Sequence, residues 1–218
     1  KVMIDFPASS LAPQAAFYRG ECFYLQEKPE EAVAAYRNFL AQFPSDAQAP
    51  TVLFRLGVSL FNLNRFDEAA LTFESLVQKY PDDPLAANAA ENIPLAYAKV
   101  GKTADSEKAY EALLQRTTDP KKRAAMMLQI GQMKEKNGVA AEAISYYEQV
   151  PATEAEYGEA MYSIGAIDAK SGQADLETKT YEKLVGMNPK DNVYRIAAMG
   201  RLAELYIAAG QAQKAMTI

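Results

Sequence analysis

The 218 residues carry 23 basic and 28 acidic side chains, a net charge of −5, and 49% of them are apolar. That balance excludes a disordered chain and offers nucleic acid no basic stripe, and no run approaches the roughly 20 apolar residues of a membrane helix. One cysteine and no histidine exclude an intrachain disulfide and remove the commonest general base and metal ligand.

The chain opens with KVMIDF, which aligns with NFLAQF at 38–43 and SLVQKY at 75–80. Those two segments read as the closing turns of helices, so residues 1–6 are expected to be the tail of a helix that begins before residue 1. No signal-peptide pattern follows, and with Lys at residue 1 this says nothing about compartment.

Next comes DFPASSLAPQAAF at 5–17. It returns as QFPSDAQAPTVLF at 42–54 and KYPDDPLAANAAE at 79–91, 37 residues apart each time. A fixed period of this length is the signature of stacked supersecondary units. Ser9, Asp46 and Asp83 share one register and suit helix N-caps, with Pro84 in the first turn that follows. Thr153 with Glu156 reads as a capping box, and Asp191 as a later cap. Gly101, Gly138, Gly172 and Gly210 suit helix ends.

Each joint introduces two helices. First helices are expected near 10–26, 47–63, 84–99, 121–136, 154–170 and 192–209. A small residue recurs inside them at Gly20, Gly57, Gly131, Gly165 and Ala203. Glycine there costs about 1 kcal/mol against alanine, so close helix approach is the expected reason. The partners twelve residues on are Ala32, Ala69, Ala143, Glu177 and Ala215. Second helices carry one apolar stripe: Ala32, Val33, Tyr36, Phe39, Leu40 and Phe43, then Ala69, Ala70, Phe73, Leu76, Val77 and Tyr80. Tyr110, Tyr147 and Tyr181 keep the aromatic in step. The third pair departs, with Pro94 in place of glycine and Ser106 in place of alanine. A proline there removes a hydrogen bond, so a bend near residue 94 is expected. Lys134 and Asp168 stand at core positions, so the fourth and fifth first helices are expected to be more exposed.

Catalytic patterns are missing: no phosphate loop, nucleophile elbow, metal-ligand spacing or cofactor motif is present. Acidic pairs such as Glu30-Glu31 and Asp67-Glu68 read as first-turn residues that favour the helix dipole. Cys22 lacks a histidine to activate it and is expected to be buried. The chain is therefore expected not to be an enzyme. Lys121-Lys122-Arg123 reads as a solvated helix start, and the late methionines (Met126, Met127, Met133, Met161, Met187, Met199, Met216) as adaptable packing.

The Gly, Ala, aromatic and Pro places resemble a tetratricopeptide repeat array. They are Gly57, Ala69, Phe73 and Pro81 in the best copy, and Gly20, Ala32, Tyr36 and Pro44 in the next. Gly131, Ala143 and Tyr147, then Tyr181 and Pro189, then Tyr206 and Ala215 follow. The resemblance covers essentially the whole chain and implies an all-α, right-handed superhelical solenoid of antiparallel helix pairs. Residues 1–218 are expected to form one such array of about six pairs, trimmed at both ends.

The long repeats with Phe-Pro and Tyr-Pro joints are similar to bacterial cell-envelope members of the family. That resemblance implies a periplasmic or outer-membrane-associated scaffold that holds a protein or peptide partner without inserting into the membrane. A cytosolic peptide-binding adaptor, or a helical linker of a larger enzyme or secretion protein, are the alternatives. By the same resemblance, first helices line the concave binding face. The stripe left over after packing contains Phe17, Glu21 and Tyr24, then Phe54, Val58, Phe61 and Asn62, then Glu91 and Leu95. Phe17 and Phe54 lean towards packing between repeats, Tyr24 and Phe61 towards the groove. Arg55, Asn62 and Asn92 are the nearest candidates for gripping a peptide carboxylate, although the expected Lys-Asn pair is missing.

Overall fold

The computed structural model describes residues 9–186 and 192–218, and among them it holds twelve helices and no strand. In chain order they are α1 (Ala12–Leu25), α2 (Pro29–Gln42), α3 (Ala49–Asn62), α4 (Phe66–Lys79), α5 (Pro84–Lys99) and α6 (Thr103–Arg116). Then come α7 (Pro120–Lys136), α8 (Ala140–Glu148), α9 (Tyr157–Lys170), α10 (Ala174–Val185), α11 (Val193–Ala208) and the short α12 (Ala212–Ala215). The expected helix tail at 1–6, together with Met187, Pro189 and Asp191, lies outside the described residues.

Two compact units divide the chain, Lys1–Leu113 and Leu114–Ile218. In the first, each helix from α1 to α4 packs on its successor, and α3 also packs on α5. Tyr36, Phe39, Leu56, Leu60, Phe73 and Leu76 fill its core. In the second, α7 to α12 pack in succession, and α9 touches both α7 and α11. Tyr147, Met161, Ile164, Leu184, Leu202 and Tyr206 are buried there.

The joints work in part as their residues suggest. Ser9 Oγ accepts from the Leu11 N–H at 3.2 Å, Asp46 Oδ1 from Gln48 at 2.8 Å and Asp83 Oδ1 from Leu85 at 2.8 Å. Asp83 thereby caps α5, whereas Ser9 and Asp46 were expected to cap and do not: they stand two residues before the N-cap positions, Leu11 and Gln48, and close the turn that leads into α1 and α3. Successive joints also touch, since the Tyr80 hydroxyl donates to the Pro44 carbonyl at 3.1 Å. Other joints differ from expectation. Thr153 Oγ bonds Glu154 rather than a backbone N–H, and Glu156 itself precedes α9, so no capping box forms. Asn192 caps α11 instead, accepting from Tyr194 and Arg195. Arg123 is no solvated starter. Its Nη1 donates to the Leu114 and Thr117 carbonyls at 2.6 and 3.0 Å.

The interior glycines have a more specific cause than helix approach alone. A Cβ at Gly20, Gly57, Gly131 or Gly165 would run into the ring of Tyr36, Phe73, Tyr147 or Tyr181. The ring always lies sixteen residues after its glycine. It rests on the bare Cα, so any side chain would have to displace a close-packed buried aromatic. In the third pair the same spacing joins Pro94 and Tyr110. Here Ser106 Oγ, fully buried, donates to the Pro94 carbonyl at 2.8 Å. The two departures from the repeat pattern thus form one hydrogen-bonded contact between α5 and α6. Helix α5 runs through Pro94 as one element, and the division into units falls at Leu113 and Leu114.

The first helices of the fourth and fifth pairs are not the exposed ones that Lys134 and Asp168 suggested. Asp168 is only 5% exposed, and Lys134 is mostly covered and paired with Glu142. Met126, Met127 and Met161 are buried, whereas Met216 is exposed.

Candidate functional site

Seven residues per two turns puts Phe17 and Tyr24 on one face of α1, and Phe54 and Phe61 on one face of α3. The structure shows what each touches. Phe17 meets Phe39 edge-on, with ring centroids 6.5 Å apart, and Phe54 meets Phe73 at 5.9 Å. Both are half-buried packing contacts between the helices of a pair. Phe61 lies edge-on to Phe66 at 4.9 Å. Val58 is half-buried beside it, and Leu95 on α5 is 45% exposed.

Glu21, Tyr24 and Arg55 come together. The Arg55 guanidinium sits 4.6 Å above the Tyr24 ring, and its Nε is 3.4 Å from Glu21 Oε1. The same carboxylate oxygen accepts from the Tyr36 hydroxyl at 2.5 Å. One acidic residue on α1 therefore ties α2 and α3 into a charged cluster. Burial, and then the hydrogen bond to Glu21, push the Tyr36 phenol well above its ordinary range, so it remains a neutral donor. Of the residues considered for gripping a carboxylate, Arg55 is thus already engaged. Asn92 donates to the Asn88 carbonyl of its own helix at 2.8 Å. Glu91 is half-buried on α5.

Asn62 instead helps line an open cleft of about 500 Å³, together with Tyr24, Leu25, Glu27, Pro29 and Ser59. Leu25, Glu27, Pro29 and Ser59 were not recognisable as site residues from the stripe alone. A signal for Glu27 exists, however. It stands 37 residues before Asn64 and 74 before Gly101, in the column that Gly138, Gly172 and Gly210 continue. Cys22, expected inside, is exposed.

The corresponding stripe of the second unit is differently used. Leu128 is buried, Gln132 Nε2 donates to Glu159 Oε1 at 2.7 Å, and Lys170 pairs with Glu135 at 2.9 Å. Tyr162 packs between Tyr181 and Tyr194, at 5.6 and 5.9 Å. Lys136 is exposed, and Ala166 half-buried. Nearby, α9 and α10 enclose two acids. Glu177 is 2% exposed and is gripped by Arg201, while Asp168 accepts only a 3.3 Å bond from Thr180. Burial raises the Asp168 pKa, the Thr180 bond opposes it, and Glu177 and Glu148 add to it.

A raised carboxyl pKa in the fold means that the native state binds the proton more tightly than the unfolded chain does. Its contribution to stability is complete below the unfolded value and is lost as pH rises through the folded one. Asp168→Asn is therefore expected to be more stable than the wild type at neutral pH, with the gap closing towards acid. Urea midpoints of both proteins between about pH 4 and about pH 8 measure this. A gap that does not change with pH would remove Asp168 as its source.

Among the described residues no three His, Cys, Asp or Glu side chains are placed to hold a metal ion, and no helix is long and apolar enough to cross a membrane. What the first-unit face offers chemically is recognition: aromatic surface, amide groups and charge around an open cleft.

Comparison with known proteins places the fold. A family model described as tetratricopeptide repeat matches residues 6–47, 26–84 and 95–159. No curated protein sequence matches the chain. Among solved structures, a tetratricopeptide repeat protein from Parabacteroides merdae shares 16% identity over 94% of this chain and 76% of its own, with a TM-score of 0.59. MamA from Desulfovibrio magneticus RS-1 shares 13% over 83% of this chain and 97% of its own, at 0.57. The repeats of a putative kinesin light chain from Podosopora anserina share 18% over 79% and 92%, at 0.51. Likeness at these identities concerns the fold.

Proposed function

The chain belongs to the tetratricopeptide repeat family, and from that premise we propose that it is a non-catalytic scaffold of the bacterial cell envelope that holds a protein partner on the face shared by α1 and α3. Proteins of this family generally serve as interaction scaffolds. The observation that carries the choice of face is the cleft beside Tyr24. There the half-buried Tyr24 ring, the exposed Leu25 and the Asn62 amide border open space. Aromatic and apolar groups left open in one patch, with polar groups at its rim, are how binding surfaces differ from the rest of a protein. The envelope setting is supported by the long repeats with Phe43-Pro44 and Tyr80-Pro81 joints.

The test is capture of partners by the intact protein from separate envelope and cytosolic fractions. Tyr24→Ala with Asn62→Ala is the variant of choice, because Phe61 also supports Phe66; Asn62→Ala alone, at an exposed residue, is its companion, since Tyr24 also carries Arg55. The double variant is expected to lose the captured partner at least about tenfold, equivalent to about 1.4 kcal/mol, and Asn62→Ala alone to lose part of it while its urea midpoint stays near that of the wild type. Undiminished capture would remove this face, and a partner found only in the cytosolic fraction would remove the envelope.

A further inference from the structure

Resting on that scaffold reading, but adding the partner chemistry it leaves open, the geometry points to an arginine side chain of the bound protein as the occupant of the α1–α3 cleft. Four kinds of group converge there. Glu27 brings a carboxylate, Tyr24 an aromatic ring, Asn62 an amide, and Leu25 with Pro29 an apolar wall. A guanidinium uses all four. It pairs with a carboxylate through charge-assisted hydrogen bonds, stacks on aromatic rings, donates to amide oxygens, and trails a methylene stem that prefers apolar cover.

One guanidinium is already on this ring: Arg55 stacks on Tyr24 with its charge balanced by Glu21, so the cleft binds through Glu27, Asn62 and the apolar wall more than through the ring. With that pair neutralised, Glu27 leaves the cleft lining negative. Glu30 and Glu31, exposed on the first turn of α2, add to the field. The nearby cations do not cancel it. Lys28 is exposed and is not part of the lining, and Arg65 is held by both oxygens of Glu68 at 2.7 and 2.8 Å. An acidic or carboxylate-ended segment would meet Glu27 as repulsion, so the cleft selects by sign.

Glu27 is also an unexpected residue for its backbone. Its φ is +54°, in the column where Gly101, Gly138, Gly172 and Gly210 adopt +70° to +79°. An L side chain there is strained. Glu27→Gly should therefore make the fold more stable while emptying the cleft of its charge. Only loss of arginine binding alongside that gain in stability separates a ligand role from none.

The experiment uses the 218-residue chain, labelled with ¹⁵N, and N-acetyl-arginine N-methylamide as the probe. The uncharged citrulline isostere is the control. The arginine probe is expected to shift the amide signals of Leu25, Glu27 and Asn62 at millimolar concentration, and the citrulline probe to leave them in place. Glu27→Gln should weaken the arginine response about fivefold or more, as loss of a charge-assisted bond does. Glu27→Gly should weaken it similarly while raising the melting temperature. Equal responses to both probes, no response, shifts confined to other helices, or full binding by Glu27→Gly each overturn the assignment. The capture experiment reads the scaffold proposal separately. If capture still depends on Tyr24 and Asn62 while the arginine probe is silent, only the arginine inference falls.

Discussion

Gly57→Ala is expected to destabilise the protein by about 1–3 kcal/mol, even though alanine is the better helix former by about 1 kcal/mol. The added Cβ would lie 2.5 Å from Cε1 of Phe73, and 2.8 Å from two further ring carbons. That ring has nowhere to retreat. It is 1% exposed and already in contact with Phe54. The clash is with a ring rather than with backbone, so shrinking the partner should return part of the loss. Phe73→Leu combined with Gly57→Ala should cost less than the sum of the two single changes, with a coupling of about 1 kcal/mol or more. Gly200→Ala is the internal control. It too is a glycine inside a helix, yet nothing lies within 4 Å of the Cβ it would gain. It should stabilise by about 0.5–1 kcal/mol. Urea unfolding of the four variants decides the matter. If Gly57 and Gly200 respond alike, the ring contact is not why the glycine is there.

A second large effect is expected at Arg201. Glu177 occupies the place that Ala32, Ala69 and Ala143 hold in other pairs, and it is almost wholly buried. Arg201 reaches it across from α11, with Nε at 2.6 Å and Nη2 at 3.4 Å. Arg201→Ala would strand a carboxylate in the core, and stranded charges of this kind cost about 3–5 kcal/mol. Adding Glu177→Ala should recover most of that, because the alanine belongs to the repeat pattern. Glu177→Ala alone should cost less than Arg201→Ala, since the arginine is partly exposed and keeps Glu204 at 2.9 Å. Denaturation midpoints of the two single changes and the pair measure the asymmetry. A double variant no better than Arg201→Ala would mean that the ion pair is not what holds α11 on α10.

These two sites also show how far the sequence could be read. Helix pairs and joints were legible because they rest on local rules, and caps only in part. Asp83 caps the helix whose first donor it can reach, whereas Ser9 and Asp46 bond one step too early, and the apolar stripes repeat at helical spacing. The glycines were legible as a repeat but not in their cause. Alanine twelve residues on looked like the partner, whereas the ring sixteen residues on is what meets the missing Cβ. Burial of Asp168 and Glu177 was hidden for a different reason. A charged residue becomes a core residue only when a distant side chain, such as Thr180 or Arg201, comes to it, and no local pattern announces that. Cys22 fails in the opposite direction, since a small apolar residue beside Phe23 and Tyr24 has no neighbour to cover it. Of the proposed face, Tyr24 and Asn62 could be placed from helical spacing. Glu27 could not, because its strain appears only once the glycine column is extended backwards through Asn64.

The ring that rests on a bare Cα has a consequence for how such a chain can change over time. Glycine and aromatic lie in different helices but must be inherited together, like a lock and its key. A crossover within a pair is harmless between two pairs that both hold glycine and ring, but one that joins the third pair to another would set another pair's ring on Pro94 or leave Ser106 without the Pro94 carbonyl. A crossover at a Phe-Pro or Tyr-Pro joint keeps every such partnership intact. The third block is the instructive case: Pro94 stands in the glycine's place opposite a serine whose hydroxyl reaches its carbonyl, so the exception too is matched on both helices.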